Sequence, residues 1–307
     1  MLITKTHHDL PSALDPNGRP IRIFVISPSV PGYPNAKFPG VVCFSEIYQV
    51  TGPVERFAGQ IASQGYVVGK SQVSFYFTIS SLTSTQLACP STYHEFEGPE
   101  PIPYDVEGGH RFSLIDPYEI LSKIKKELVA YDEARFGSLW DATLSVNLLC
   151  SLKNCNGRIA ATGMCLGGHL AFRAAFDPRV RSSVCFFATD IHTATLGKGR
   201  DDSLDRMRKG DLTGKGELVM IFGKQDTHVP RAGRDLIRKV LEDADVPVSF
   251  LEVQAQHAFI RDESSKGRWD AALTRSLFTF MMEVFERTIG RDLGEKIDER
   301  GEIEHVC

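Results

Sequence analysis

Between Ile21 and Arg287 the sequence alternates short β-forming, apolar runs with longer stretches of helical spacing. The run from Gly40 to Ser45 is typical of a buried parallel strand. Apolar residues then recur at helical spacing from Val54 to Gln64, and Tyr66 to Val68 resumes an extended pattern. Strands and helices alternating in this way predict an α/β fold with a mostly parallel sheet and helices on both faces.

The alternation continues towards the C-terminus. An early strand is predicted over 21–27, and beyond residue 68 the pattern predicts helices over about 128–152, 167–176, 231–244 and 271–287 and strands over 158–162, 183–188, 218–222 and 248–253. Reactive groups of such a sheet belong at the carboxyl ends of its strands.

The chain of 307 residues contains no linker rich in Pro, Gly or Ser, so we expect a single α/β domain over 1–307 with its core at about 21–288. Residues 70–88 are rich in Ser and Thr, interrupt the pattern and are either a surface excursion or a translated intron. The charged tail over 289–307 is expected to be a surface extension.

Charge and composition exclude several classes of protein. A net charge of −4 gives no attraction for nucleic acid or anionic membranes, and the N-terminus has no apolar signal region. No run approaches the roughly 18 apolar residues of a membrane span, so we expect a cytoplasmic protein. The mixed-charge stretch 200–209 is typical of a solvated loop or helix face.

Cysteine usage points to a reducing compartment. Seven cysteines are present, an odd number, and none forms a CxxC pair suited to zinc. We therefore expect reduced thiols and no metal, with Cys43, Cys150 and Cys185 as small buried residues.

The segment Gly163-Met164-Cys165-Leu166-Gly167-Gly168 follows a predicted strand and opens a predicted helix, which is the context of a nucleophile elbow. Small residues relieve crowding in the sharp turn, and the helix N-terminus favours a thiolate. Cys165 is thus the candidate nucleophile, and the N–H of Leu166 would face a developing oxyanion. The alternative is a small buried cysteine at a strand–helix junction.

A thiol nucleophile needs a base, and the base needs an orienting acid. Asp226 follows the strand over 218–222 and His257 follows the strand over 248–253, so the order Cys165, Asp226, His257 matches that of α/β-hydrolases. Asp226 could instead cap a helix, and His257 could be a core or turn histidine.

Three other polar residues compete for these roles. His228 lies only two residues beyond Asp226, too near to bridge back to Cys165. His192 follows the strand after the nucleophile helix and could contact substrate, while Asp190 is a weaker rival for the acid.

With these residues in view, the chain resembles the dienelactone hydrolase family, particularly its fungal-type members, from about Ile21 to Arg287. The segments that carry the resemblance are Ser45 to Tyr48, Tyr66 to Val68, Cys89 to His94, Gly163 to Gly168, Gly223 to Pro230 and His257 to Arg261.

The resemblance implies further roles. Glu46 looks like the family glutamate that exchanges a proton or contact with the thiol when substrate arrives, and the N–H of Ile47 matches the second oxyanion donor. Arg261 matches an arginine that pairs with a substrate carboxylate, a task suited to its bidentate geometry. Tyr48 and Tyr93, within the quoted segments, and His192 are candidate substrate contacts. Glu46 could otherwise be a solvent-facing carboxylate, and Arg261 an ordinary exposed side chain.

The chain departs from the family pattern in one segment, and this departure leaves the identity of the substrate open. Where the bacterial type supplies a second arginine for an anionic dienelactone, this chain has Tyr93-His94-Glu95. A glutamate cannot pair with a carboxylate.

We therefore expect a cysteine-dependent hydrolase of a small-molecule carboxylic ester or lactone, acting through a thioester without a cofactor, as a monomer or homodimer. A biosynthetic enzyme for lactone opening, acyl transfer, cyclisation or dehydration would share this scaffold, and so would a non-catalytic binding protein.

Overall fold

The computed structural model describes residues 2–11, 20–46, 50–70, 141–194, 203–262 and 267–290. Its strands are β1 (Leu2–Leu10), β2 (Ile21–Ser29), β3 (Phe38–Phe44), β4 (Val67–Lys70), β5 (Cys155–Met164), β6 (Val180–Phe186), β7 (Glu217–Gly223) and β8 (Val248–Val253). Its helices are α1 (Gly52–Ser63), α2 (Asp141–Ser151), α3 (Leu166–Ala174), α4 (Ser203–Arg208), α5 (Arg231–Asp243) and α6 (Ala271–Phe285), the last continuing as a π-helical turn, Glu286–Gly290.

The described strands form a single sheet in the order β1-β2-β4-β3-β5-β6-β7-β8. The six strands from β4 to β8 in that order pair in parallel, while β2 is antiparallel to both of its neighbours. Successive residues are buried along β3, β5, β6 and β7, which requires cover on both faces of the sheet. The predicted α/β-hydrolase fold is confirmed.

The parallel register brings the candidate residues to one edge of the sheet. Gly163 of β5 is paired with Cys185 of β6, and Gly223 of β7 is paired with Val253 of β8. The carboxyl ends of β5, β7 and β8 therefore lie side by side, and the segments that carry the predicted triad leave the sheet there.

Two elements were not predicted. β1 was missed because its residues are mostly exposed and polar, and it pairs with β2 alone at the edge of the sheet. α4 lies within the stretch interpreted as a solvated loop or helix face, yet it buries Ser203, Leu204 and Met207.

The predicted burial of the cysteines is partly wrong. Cys43 and Cys185 are buried as expected, but Cys150 is exposed on α2, and Cys155 is the buried thiol at the start of β5. All of these cysteines are free thiols.

Several predictions fall on parts of the chain that are not described. The interrupting segment after Lys70, most of the predicted helix before Asp141 and the tail beyond Gly290 lie outside the described residues. Within the described part, no helix is long and apolar enough to cross a membrane.

Candidate active site

Cys165 occupies the sharp turn between β5 and α3. Its φ of 59° and ψ of −121° are strained for a residue with a side chain. The strain is held by backbone hydrogen bonds: its N–H donates to the carbonyl of Phe186 at 3.0 Å, and its carbonyl accepts from the N–H groups of His169 at 3.2 Å and Thr189 at 3.3 Å. The turn therefore has the strand–turn–helix geometry that a nucleophile elbow requires.

Glycines make the turn possible. A Cβ on Gly163 would lie 2.1 Å from the carbonyl oxygen of Gly167, and a Cβ on Gly167 would lie 2.3 Å from that of Phe44. Gly168 is similarly close to the carbonyl oxygen of Phe186. Because real Cβ atoms do not approach a carbonyl so closely, these positions require glycine.

Asp226 follows β7 and its carboxylate is buried. Oδ1 accepts the backbone N–H of His228 at 2.8 Å and of Val229 at 3.3 Å, and Oδ2 lies 2.7 Å from Nδ1 of His257. Burial favours the neutral acid, but these hydrogen bonds and the charge of His257 keep the pKa of Asp226 below its ordinary value. The carboxylate thus orders its own turn and orients the imidazole.

His257 follows β8 and is also buried. Burial would lower its pKa, but the charges of Cys165 and Asp226, and hydrogen bonds to both, raise it to about 10. Since Nδ1 faces Asp226, Nε2 is the nitrogen left for the sulfur. The structure therefore brings the three side chains of the predicted triad together, in the order Asp226, His257, Cys165.

Two rings pack on the imidazole of His257. Phe187, just beyond β6, meets His257 edge-on with ring centroids 5.0 Å apart. His228 lies closer, with its centroid 4.4 Å from that of His257. Neither contact was predicted. Spacing in the sequence does not show that Phe187, after β6, and His228, after β7, pack against His257.

Glu46 and Arg261 form a buried ion pair. Nη1 of Arg261 lies 3.2 Å from Oε2 of Glu46, 215 positions away in the sequence, and both side chains are shielded from solvent. Neither residue is therefore an exposed surface side chain. The preceding Ser45 places its carbonyl oxygen 2.4 Å from a Cβ built on Gly167, so this pair lies beside the elbow.

The other candidate site residues lie on different elements, and three of them fall outside the described part of the chain. Leu166 is the first residue of α3, where helical N–H groups lack intrahelical acceptors. His192 is partly buried, and its ring lies 2.7 Å from a Cβ built on Gly233 at the start of α5. Asp190 has a φ of 63°. Burial lowers the pKa of His192, and the charges of Asp190 and Asp226 only partly oppose this effect. Ile47, Tyr48 and Tyr93 lie outside the described residues.

A cluster of buried polar side chains on the helix that follows Cys165 was also not predicted. Nε2 of His169 lies 2.6 Å from Oγ of Ser203, which also accepts a hydrogen bond from Arg173 at 3.3 Å. Burial lowers the pKa of His169 to about 3, so this imidazole is neutral. The cluster fixes α3 against α4, and nothing in the local sequence distinguishes it from an ordinary helix face.

The chemical groups of the site are those of its three converging side chains. Within the described residues, no group of three or more His, Cys, Asp or Glu side chains is arranged to hold a metal ion. The site offers instead a thiol, an imidazole and a carboxylate, which together suit nucleophilic attack on a carbonyl.

The sequence of residues 119–289 matches the model of the dienelactone hydrolase family, which is more than half of the chain. The chain belongs to the dienelactone hydrolase family. A curated protein of Saccharomyces cerevisiae (strain ATCC 204508 / S288c), named "Putative carboxymethylenebutenolidase", is 50% identical over 310 residues that cover 100% of each chain.

Solved structures of this family share the fold. The structure named "Putative Dienelactone Hydrolase" from Klebsiella pneumoniae subsp. pneumoniae MGH 78578 matches with a TM-score of 0.61 and 16% identity, over 94% of this chain and 100% of the other. The dienelactone hydrolase-like promiscuous phosphotriesterase P91 from metagenomic libraries matches with a TM-score of 0.63 and 14% identity, over 94% and 99%. This dienelactone hydrolase-like hydrolase therefore has the α/β-hydrolase fold.

Proposed function

We propose that this protein hydrolyses a small-molecule carboxylic ester or lactone through a thioester on Cys165. The observation that carries the proposal is His257, which is hydrogen-bonded to Asp226 and whose pKa is raised to about 10 by the neighbouring Cys165 and Asp226. Because Nδ1 of His257 faces Asp226, its Nε2 is left to exchange a proton with the thiol of Cys165.

The reaction follows from these positions. The thiolate of Cys165 attacks the carbonyl carbon, and the oxyanion is held by the N–H of Leu166 and, as the family resemblance implies, that of Ile47. The C–O bond breaks as His257 gives its proton to the leaving oxygen, which leaves a thioester. Water that loses a proton to His257 then attacks the thioester and releases the acid and the thiol.

Glu46 and Arg261 belong to the same proposal. Their ion pair holds a guanidinium beside the elbow, where it could meet a carboxylate on the substrate. Such a substrate would compete with Glu46 for the guanidinium and leave that carboxylate free to exchange a contact with the thiol. This proposal favours substrates that carry an acid group near the reacting carbonyl.

Trapping of the acyl-enzyme tests the thioester directly. The protein is mixed with panels of lactones, aryl esters and thioesters, quenched in acid within milliseconds to seconds, and digested for mass spectrometry. We expect the acyl mass on the peptide that contains Cys165. The mechanism would be contradicted if a substrate formed product in a burst but no acyl group were found on the peptide that contains Cys165.

Replacement of Arg261 by alanine tests the anion-pairing role. A charge-assisted hydrogen bond contributes about 1.5–3 kcal/mol, so KM for carboxylated substrates is expected to rise about 10- to 100-fold. KM for matched neutral esters should change much less, and steady-state kinetics on both series measures the difference.

The matched control is Arg56→Ala. This variant removes an exposed ion pair between Arg56 and Asp262, the residue that follows Arg261 in the sequence. Because Arg261→Ala also leaves Glu46 buried without this guanidinium, thermal unfolding of both variants is recorded. An equal rise in KM for charged and neutral substrates would count against the anion-pairing role.

A further inference from the structure

Arg234 is a buried cation that contacts the loop carrying Asp226. It lies in the first turn of α5, and only 3% of its surface is exposed. Its Nη1 donates to the carbonyl oxygen of Val229 at 2.8 Å. Val229 is fully buried, and its own N–H donates to Oδ1 of Asp226 at 3.3 Å. The guanidinium thus holds a residue that in turn helps to hold the carboxylate.

The same guanidinium is paired with the strand that leads to His257. Its Nε lies 2.5 Å from Oε1 of Glu252 in β8. Glu252 lies opposite Phe222 of β7, near the carboxyl ends of both strands. Arg234 therefore connects the loop after β7, which carries Asp226, to β8, which is followed by His257.

The geometry of a guanidinium suits this connection. Its N–H groups point in fixed directions within one plane, so two acceptors bound to it are fixed relative to each other. Here one acceptor belongs to the loop and the other to the strand. Oδ2 of Asp226 lies 2.7 Å from Nδ1 of His257, so a shift of the loop against β8 would lengthen or misalign that hydrogen bond.

We propose that Arg234 is a positioning residue that fixes Asp226 relative to His257 by anchoring the loop after β7 to β8. It acts through Val229 and Glu252 and not by contact with the substrate. A misplacement of about 1 Å in a reacting constellation can lower its rate about 100-fold. This inference rests on the proposed function, in which Asp226 orients the imidazole of His257.

Arg238 provides a matched comparison on the same helix. Its Nη2 donates to Oε2 of Glu252 at 2.7 Å, and its guanidinium lies 4.4 Å from the ring centroid of Phe250. Both of these partners belong to β8. Arg238→Met therefore removes one charge and one donor from Glu252 but keeps the contact between Arg234 and the loop.

Two variants of Arg234 separate the anchor from its charge. Arg234→Met replaces the guanidinium by an apolar side chain, and Glu252 keeps Arg238 as its partner, so we expect the variant to fold. Arg234→Lys keeps a positive charge beside Glu252, but one ammonium replaces the planar fork.

Steady-state kinetics on the best ester or lactone of the panel measures the effect on the reaction. For both Arg234 variants we expect kcat to fall about 10- to 100-fold while KM stays within about threefold of wild type. Arg238→Met should keep both constants within about twofold of wild type. Thermal unfolding of each variant is recorded, and kinetics are measured well below the lowest Tm.

Hydrogen exchange tests the anchor without a substrate. The amides of His228 and Val229 donate to Asp226, and mass spectrometry of the peptide covering residues 224–230 follows their exchange. We expect these amides to exchange at least about tenfold faster in both Arg234 variants, because the loop that carries them opens more often. Exchange in Arg238→Met should match the wild type.

The outcomes distinguish this inference from the proposed function. Wild-type kcat in either Arg234 variant would overturn the positioning role, and Arg234→Lys decides if Arg234→Met fails to fold. An equal loss of kcat in Arg238→Met would also overturn it, since the effect would then belong to the charge beside Glu252. If the wild type turns over no ester or lactone, the proposed function fails, and unchanged loop exchange in the Arg234 variants would overturn the anchor separately.

Discussion

Replacement of Cys165 by alanine should lower kcat/KM for any ester or lactone substrate by at least about 10⁴-fold, because triads that lose their nucleophile retain only binding and oxyanion stabilisation. Among the described residues, the thiols on the two strands next to β5 are those of Cys43 and Cys185, and both are buried within their strands rather than placed in the elbow. The measurement is steady-state hydrolysis of the best substrate from the panel, with KM determined separately from kcat. We expect the loss almost entirely in kcat.

Cys150→Ala is the matched control for this variant, because it removes an exposed thiol on α2, away from the elbow. It should leave hydrolysis within about twofold of wild type. Activity in Cys165→Ala that stays close to the wild-type value would show that the sulfur is not the nucleophile.

Asp226→Asn should be nearly as damaging, with a loss in kcat of about 10⁴-fold. Oδ1 of Asp226 accepts two backbone N–H groups, so an asparagine would keep its carbonyl oxygen there and turn its amide nitrogen towards His257. An amide N–H donated to Nδ1 would force the ring proton onto Nε2, the nitrogen that faces Cys165. His257 could then no longer take a proton from the thiol or from water.

The pH profile gives an independent check of the same substitution. Since the charge and hydrogen bond of Asp226 help to raise the pKa of His257 to about 10, removal of the carboxylate lowers that pKa. In the proposed mechanism, protonated His257 is the acid that releases the leaving group, so the alkaline limb of residual activity should move to lower pH. Asp190→Asn is the control, because Asp190 is the rival acid, and a larger loss there than in Asp226→Asn would reverse the assignment.

Most of the sheet could be predicted from sequence because parallel strands buried on both faces are continuous apolar runs. The same reasoning failed at β1, whose exposed polar residues carry no such signal and whose place is set by its pairing with β2. Cys150 was predicted to be buried from residue type alone, but it occupies the outward face of α2.

The convergence of the three candidate side chains could be predicted for a topological reason. Cys165, Asp226 and His257 each follow a strand, and strand ends converge in a parallel sheet whatever their separation in sequence. Glu46 also follows a strand, but Arg261 lies four residues beyond His257, so the resemblance suggested a role for each while spacing could not show their ion pair. His228 was judged too near Asp226 to reach Cys165, and that same short loop is what places it on His257.

The glycine contacts of the elbow determine how tolerant the reaction centre should be to change. The turn that carries the sulfur is seated on main-chain carbonyls of the strands on either side, contributed by Phe44 and Phe186. Main-chain atoms are the same whatever side chains the surrounding core carries. Substitutions of the side chains around the elbow should therefore leave the position of the Cys165 sulfur largely unchanged.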